Sequence, residues 1–256
     1  MRAVGDVELP FGVLPGKVFA TFAARDSGNV SYGVRIGDRR YFVKTAGRDD
    51  EPEHTARVAR LRNAVVIATS CTHPALPMLE HVIESSVGPL LVYEWFEGEV
   101  LGVPSTFRDA PASSFQRFRA LPAPEIAAVL TTIYELHAGL ARAGWVAVDF
   151  YDGSLMYDFA RHELRVIDLD MYSRGPFTNA VGRTFGSSRF MAPEEFELGA
   201  GIDERTTVFN LGRAALVFLG ERGTQAQLAA ATRAASPNPA ARFTSVEEFF
   251  AAWLSG

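Results

Sequence analysis

One cysteine, Cys71, stands among 256 residues. That scarcity excludes an internal disulfide framework and fits a reducing, cytoplasmic setting. Cys71 itself reads as a small buried hydrophobe. No apolar run approaches the roughly 20 residues that a bilayer span needs, so no membrane partner is expected. The opening stretch MRAVGDVELPFGVLPG lacks the charged-then-apolar order of a signal sequence. Basic charge is not in excess: Lys plus Arg number 25 against 30 Asp plus Glu, a net charge of −5, which argues against nucleic acid as the main partner. No H-E-x-x-H or G-x-S-x-G occurs, so zinc chemistry and a serine hydrolase lose their usual signatures. No segment repeats with a solenoid period.

What is present is an ordinary globular composition, 48% hydrophobic and 21% charged, in a chain long enough for two lobes. Residues 17–45 read as a three-stranded meander with turns at DSGN (Asp26-Ser27-Gly28-Asn29) and Gly37-Asp38. Val58, Leu61 and Val65 then repeat at helical spacing, and two more strands follow around Val87-Gly88. Glu97-Gly98 opens a change of texture. Pro124 starts the clearest helix, with Ile126, Leu130, Ile133, Leu136 and Leu140 on one stripe. His137 on that stripe reads as a core histidine. Further helices are expected at 193–198, 206–219, 225–235 and 244–254, the last opened by a Thr244-x-x-Glu247 capping box. The expectation is an α+β chain: a five-stranded antiparallel lobe with one helix over residues 1–98, and a mainly helical lobe over 99–256. Trp95, Trp145 and Trp253 read as core anchors.

Two aspartates within residues 145–172 read either as turn residues or as candidates for chemistry. Two short apolar runs, 145–148 and 164–167, end on Asp149 and Asp168. Read as paired strands, they bring both carboxylates to one edge. There one can accept a proton and the other can hold a divalent cation.

The order of these parts resembles the protein-kinase-like fold, with features of both atypical bacterial serine/threonine kinases and aminoglycoside phosphotransferases. Tyr41-Phe42-Val43-Lys44 resembles the strand of the phosphate-binding lysine, and His73-Pro74-Ala75-Leu76 resembles H-P-N-I. Residues 91–98 resemble the hinge. Asp149 and Asp168 fall where the catalytic-loop aspartate and the aspartate of D-F-G belong. Gly186-Ser187-Ser188-Arg189-Phe190-Met191-Ala192-Pro193-Glu194 resembles the G-T-x-x-Y-x-A-P-E end of an activation segment. Asn238-Pro239-Ala240-Ala241-Arg242-Phe243 resembles D-P-x-x-R-P. The resemblance implies ATP and Mg²⁺ as cofactors, with Lys44 on the phosphates and backbone groups of Glu94 and Phe96 on the adenine. Phe42 would stack on the base or obstruct it. Asp168 would hold Mg²⁺, helped by Ser154 or Asp152, while Asp149 receives or orients the acceptor proton. Glu194 and Arg242 would form a buried ion pair.

The departures matter as much. The Gly-rich phosphate loop is missing. Ala147-Val148-Asp149 replaces H-R-D, Tyr151 the usual lysine, Ser154 the metal-binding asparagine and Asp170 the D-F-G glycine. Thr207 stands where a helical aspartate steadies the loop, and no glutamate is an evident partner for Lys44. Thr178, Thr184, Ser187 and Ser188 are candidate phosphorylation sites or simply loop residues. Three readings stand: an atypical serine/threonine kinase with an unknown protein acceptor, favoured by the A-P-E-like element; a small-molecule kinase; and an ATP-binding pseudokinase.

Overall fold

The computed structural model describes residues 14, 16–23 and 29–255; the expected turn at Asp26-Ser27-Gly28 and most of the opening stretch lie outside the described residues. The chain divides into two compact units, one holding Leu76–Glu97 and the chain through Thr72, the other His73–Ala75 and the chain from Gly98 onward.

Among the described residues, the first unit is a five-stranded antiparallel sheet with one helix. Its strands are β1 (Lys17–Ala23), β2 (Val30–Ile36), β3 (Arg39–Thr45), β4 (Leu79–Ser85) and β5 (Gly88–Glu94), in the order β1-β2-β3-β5-β4. Residue alternation divides the sheet's two faces. One buries Val18, Val34, Tyr41, Val43, Leu90 and Val92 as a single cluster. On the other, α1 (His54–Ser70) lays Leu61, Val58, Ala64 and Val65 against Leu91, Ala46 and Leu79. The buried Arg57 ties α1 to the chain before it, donating to the carbonyls of Ala46 at 2.6 Å and Pro52 at 2.7 Å. Two small corrections fall here. Cys71 is half-buried at the end of α1 rather than in the core. Trp95 is also only half-buried, edge-on to Phe19 at 4.9 Å.

The second unit contains β6 (Glu99–Val100), α2 (Ser105–Arg108), α3 (Ser114–Arg119), α4 (Ala123–Arg142), β7 (Trp145–Val146), β8 (Leu155–Asp158), β9 (Glu163–Val166), β10 (Ser173–Arg174), β11 (Phe177–Thr178), β12 (Gly201–Ile202), α5 (Glu204–Phe218), α6 (Gln225–Ala234) and α7 (Val246–Leu254). All five stripe residues expected of α4 are buried. Tyr134 sits at the centre of the helical core. Its ring meets Phe249 at 4.8 Å and Trp253 at 5.1 Å, and its hydroxyl donates to the Leu211 carbonyl at 3.2 Å. This joins α4, α5 and α7 around one polar-tipped aromatic. The buried His137 bonds the Ile133 carbonyl at 2.7 Å and the Tyr172 hydroxyl at 2.8 Å, and burial lowers its pKa to about 4.

Three local expectations need correcting. The helix read at 193–198 is a single 3-10 turn, Pro193–Phe196. The cap of α7 falls one residue later than expected: Ser245 accepts from Glu248 N at 3.1 Å, while the Glu248 side chain accepts from Thr244 N at 2.9 Å. Finally, the runs 145–148 and 164–167 do not pair with each other. β7 pairs with β10, and β9 pairs with β8. Alternation sets which face a strand shows, but not which strand it meets.

Candidate functional site

In the first unit Lys44 lies on β3, an interior strand, opposite Ser31 on β2 and Leu91 on β5. Two residues earlier, and so on the same face, Phe42 lies opposite Gly33 and Tyr93. That face is aromatic: Phe42 is 5.8 Å from Phe22 and 6.5 Å from Tyr93, ring centre to ring centre. Gly33 is what makes room, since a Cβ there would come within 2.7 Å of the Phe19 ring and 3.0 Å of Trp95. Glu94 and Phe96 are half-buried, and the Glu94 N–H donates to the Met78 carbonyl at 3.0 Å. The sequence of α1, HTARVARLRNAVVIATS, contains no Asp or Glu. No carboxylate on this helix can therefore partner Lys44. Glu53 lies just before it, in left-handed backbone at φ 62.

In the second unit the two aspartates share a backbone conformation that side chains seldom adopt. Asp149 has φ 65 and Asp168 φ 64, both left-handed. Asp tolerates this region better than most residues, but holding it still costs on the order of 1 kcal/mol. Ser154 supplies part of the restraint. Its hydroxyl donates to the Asp149 carbonyl at 3.1 Å and accepts from Tyr151 N at 3.4 Å, while its carbonyl accepts from Ile167 N at 2.8 Å. One buried residue thus joins the turn of Asp149 to the residue before Asp168. Strand pairing between the two runs is not needed for that. Ala147 N donates to the Thr207 hydroxyl on α5 at 2.9 Å, so Thr207 anchors the approach to Asp149. The His73-Pro74-Ala75 turn belongs to the same unit, where the Ala75 carbonyl accepts from Val166 N at 2.8 Å at the end of β9.

Asp149 is half-buried, Asp168 is exposed, and Asp152, Ser154 and Asp170 are buried. Asp152 receives a hydrogen bond from Arg189 Nη2. Among the described residues, no three or more His, Cys, Asp or Glu side chains are grouped to hold a metal. A Mg²⁺ ion does not demand such a cage: it typically takes one or two carboxylates, substrate phosphates and water. Asp168, exposed and two residues from Asp170, suits that role by its donor chemistry.

Glu194 and Arg242 meet through two hydrogen bonds, Nη1 to Oε1 at 2.6 Å and Nη2 to Oε2 at 2.9 Å, with the arginine side chain fully buried. Burial pushes the Glu194 carboxyl upward most strongly, but the Arg242 hydrogen bonds, a backbone hydrogen bond, the Arg242 charge and the Thr206 hydroxyl together outweigh it and hold the pKa below its usual value. Next to it, buried Glu195 is pushed up by desolvation. It accepts from Ala192 N at 2.7 Å and Asn210 Nδ2 at 2.9 Å. The sequence offered one sign of a structural role for Glu195, its place beside Glu194 after Pro193. The role of Arg189 had a sign too, an arginine inside the segment of a chain whose loop lacks one.

By sequence, no family profile and no curated protein matches the chain. By structure it is similar to the PknI kinase domain of Mycobacterium tuberculosis. The similarity covers 96% of this chain and 97% of that one at 17% identity, with a TM-score of 0.64. With a five-stranded antiparallel sheet and seven α-helices among the described residues, this α+β protein has the protein-kinase-like fold.

Proposed function

We propose that the chain is an ATP-dependent phosphotransferase acting on a hydroxyl, in the manner of an atypical serine/threonine protein kinase. The observation that carries this reading is the pair Asp149 and Asp168, both in left-handed turns and joined through Ser154, within a protein-kinase-like fold. Lys44 supplies the cation for the nucleotide phosphates. Glu94 and Phe96 contact the adenine through the backbone, and Phe42 offers it an aromatic face. Mg²⁺, held by Asp168, would neutralise charge building on the transferred phosphoryl group. Ser154 and Asp152 then serve the loop itself more than the metal, because their hydrogen bonds run to Asp149, Tyr151 and Arg189.

The acceptor hydroxyl oxygen forms a bond to the γ-phosphorus as the bond to the bridging oxygen of ADP breaks. The hydroxyl proton passes to the Asp149 carboxylate. The proposal includes a reducing, cytoplasmic setting and no nucleic-acid partner; no described helix is long and apolar enough to cross a membrane.

One observation favours a second reading, an ATP-binding pseudokinase: α1 carries no carboxylate for Lys44. Two measurements separate the readings. Mg·ATP should raise the melting midpoint under both, through binding linkage. Transfer of the γ-phosphate should occur only under the first, and Asp149→Asn should reduce it about 10²–10⁴-fold. Asparagine tolerates the left-handed backbone, so this variant removes charge without adding strain. Equal trace turnover in wild type and variant would leave the pseudokinase, and no melting shift at millimolar nucleotide would remove both.

A further inference from the structure

The stretch 179–196 is pinned from several sides. Asn179 Nδ2 donates to the carbonyls of Gly182 and Glu194. Thr184 N donates to the Glu195 carbonyl at 2.8 Å, and its hydroxyl lies 3.3 Å from Glu195 Oε1. From α5, Asn210 Nδ2 donates to the Phe190 carbonyl at 3.0 Å and Arg213 Nε to the Arg189 carbonyl at 2.9 Å. Two features carry this order to the loop of Asp149. Gly186, at φ 123, lies beside Asp149, where a Cβ would be in van der Waals contact with Asp149 Oδ1 at 3.4 Å. Arg189 bonds Asp152, three residues beyond Asp149, with the aspartate side chain only 2% exposed and the arginine 25%. The guanidinium also lies over the Phe115 and Phe190 rings, each at 5.2 Å.

Phosphorylation orders a kinase segment by giving an arginine on the loop side a phosphate to pair with. This chain has Val148 before Asp149, and the polarity of the contact is reversed: the loop contributes the anion and the segment the cation. Thr184 is buried beside Glu195, so a phosphate there would meet a carboxylate in a desolvated place. Thr178 and Ser188 are exposed.

We propose that Asp152 and Arg189 form a built-in tether, which holds the Asp149 loop and the 183–191 segment together without any phosphorylation. Asp152 is thus a positioning residue for Asp149. The effect on turnover rests on the phosphotransferase reading; the effect on order does not.

The test uses the full chain, shown by mass spectrometry to carry no phosphate. Amide hydrogen exchange over 149–154 and 183–191 is measured for wild type, Asp152→Asn, Arg189→Leu and the swap Asp152→Arg with Arg189→Asp. Both single variants should exchange about tenfold faster or more in these two stretches alone, and the swap should restore most of the protection. Arg189→Lys keeps the charge and should fall between wild type and Arg189→Leu, which serves if the swap does not fold. In the transfer assay kcat should drop roughly 10- to 100-fold in the single variants with KM for ATP little changed. Thr178→Ala and Ser188→Ala should match wild type. Unchanged exchange in both single variants overturns the tether whatever the activity, as does a requirement for phosphate on 178–188. Altered exchange in a chain that transfers no phosphate instead overturns the phosphotransferase reading and leaves the tether standing.

Discussion

Among the described residues, the two units differ in where they keep buried carboxylates. In the sheet unit the ion pairs Arg62–Glu84, at 3.1 Å, and Arg48–Asp50, at 3.0 Å, are exposed at both ends. The buried arginine there, Arg57, spends two of its three bonds on backbone carbonyls. The helical unit instead buries carboxylates and pairs them: Glu194 with Arg242, Asp152 with Arg189, and Glu195 with Asn210 and Ala192 N. A buried pair is expensive to break because the remaining partner stays charged in a poor solvent, whereas an exposed pair loses little. Substitution is therefore cheap at these exposed pairs of the sheet unit and costly at the buried pairs of the helical one.

The comparison is most exposed at Glu194 and Arg242. Arg242→Met should lower unfolding free energy by about 3–5 kcal/mol in urea titration, and adding Glu194→Gln should recover part of that loss. A loss under about 1 kcal/mol would place this pair with the surface pairs. Acid should act on the same contact. The Glu194 pKa is depressed in the fold, so its contribution is present above the ordinary carboxylate range and lost as pH falls through the lowered value.

A slightly smaller effect belongs to His137. Its ordinary pKa of 6.5 falls to about 4 in the fold, because burial excludes the charged ring. The unfolded chain therefore binds the proton first, and stability should fall by about 3 kcal/mol as pH drops from 6.5 to 4. Urea midpoints across that range, with His137→Gln as the reference lacking this slope, measure it. A wild-type slope equal to the variant's would show that the ring titrates freely.

The smallest effect is expected in the sheet unit. Arg62→Ala should change stability by less than about 1 kcal/mol, and the change should shrink with added salt. A loss matching that of Arg242→Met would dissolve the contrast between the units.

Much of this arrangement was legible in the sequence where a local rule governs it. The stripe of α4 follows from helical spacing, and the five strands follow from short apolar runs between turn residues. The pairing of 145–148 was not legible, because its partner, β10, is two residues long and carries no strand pattern of its own. The Ser154 bridge escaped for a similar reason: three of its four hydrogen bonds are to backbone groups within its own turn, and the fourth is from a backbone N–H thirteen residues on. Backbone partners leave no trace in side-chain identity. The missing acid of α1 could be read directly, once the helix was known to begin at His54 and to leave Glu53 outside.

That bridge has a consequence for how this loop can change over time. A single serine fixes the Asp149 turn with its hydroxyl and the approach to Asp168 with its carbonyl. The hydroxyl can be lost by mutation but the carbonyl cannot, since every residue carries one. The two aspartates therefore differ in heritable risk at this position: one step at position 154 can loosen the first, while no replacement there deletes the bond from Ile167 N that holds the approach to the second.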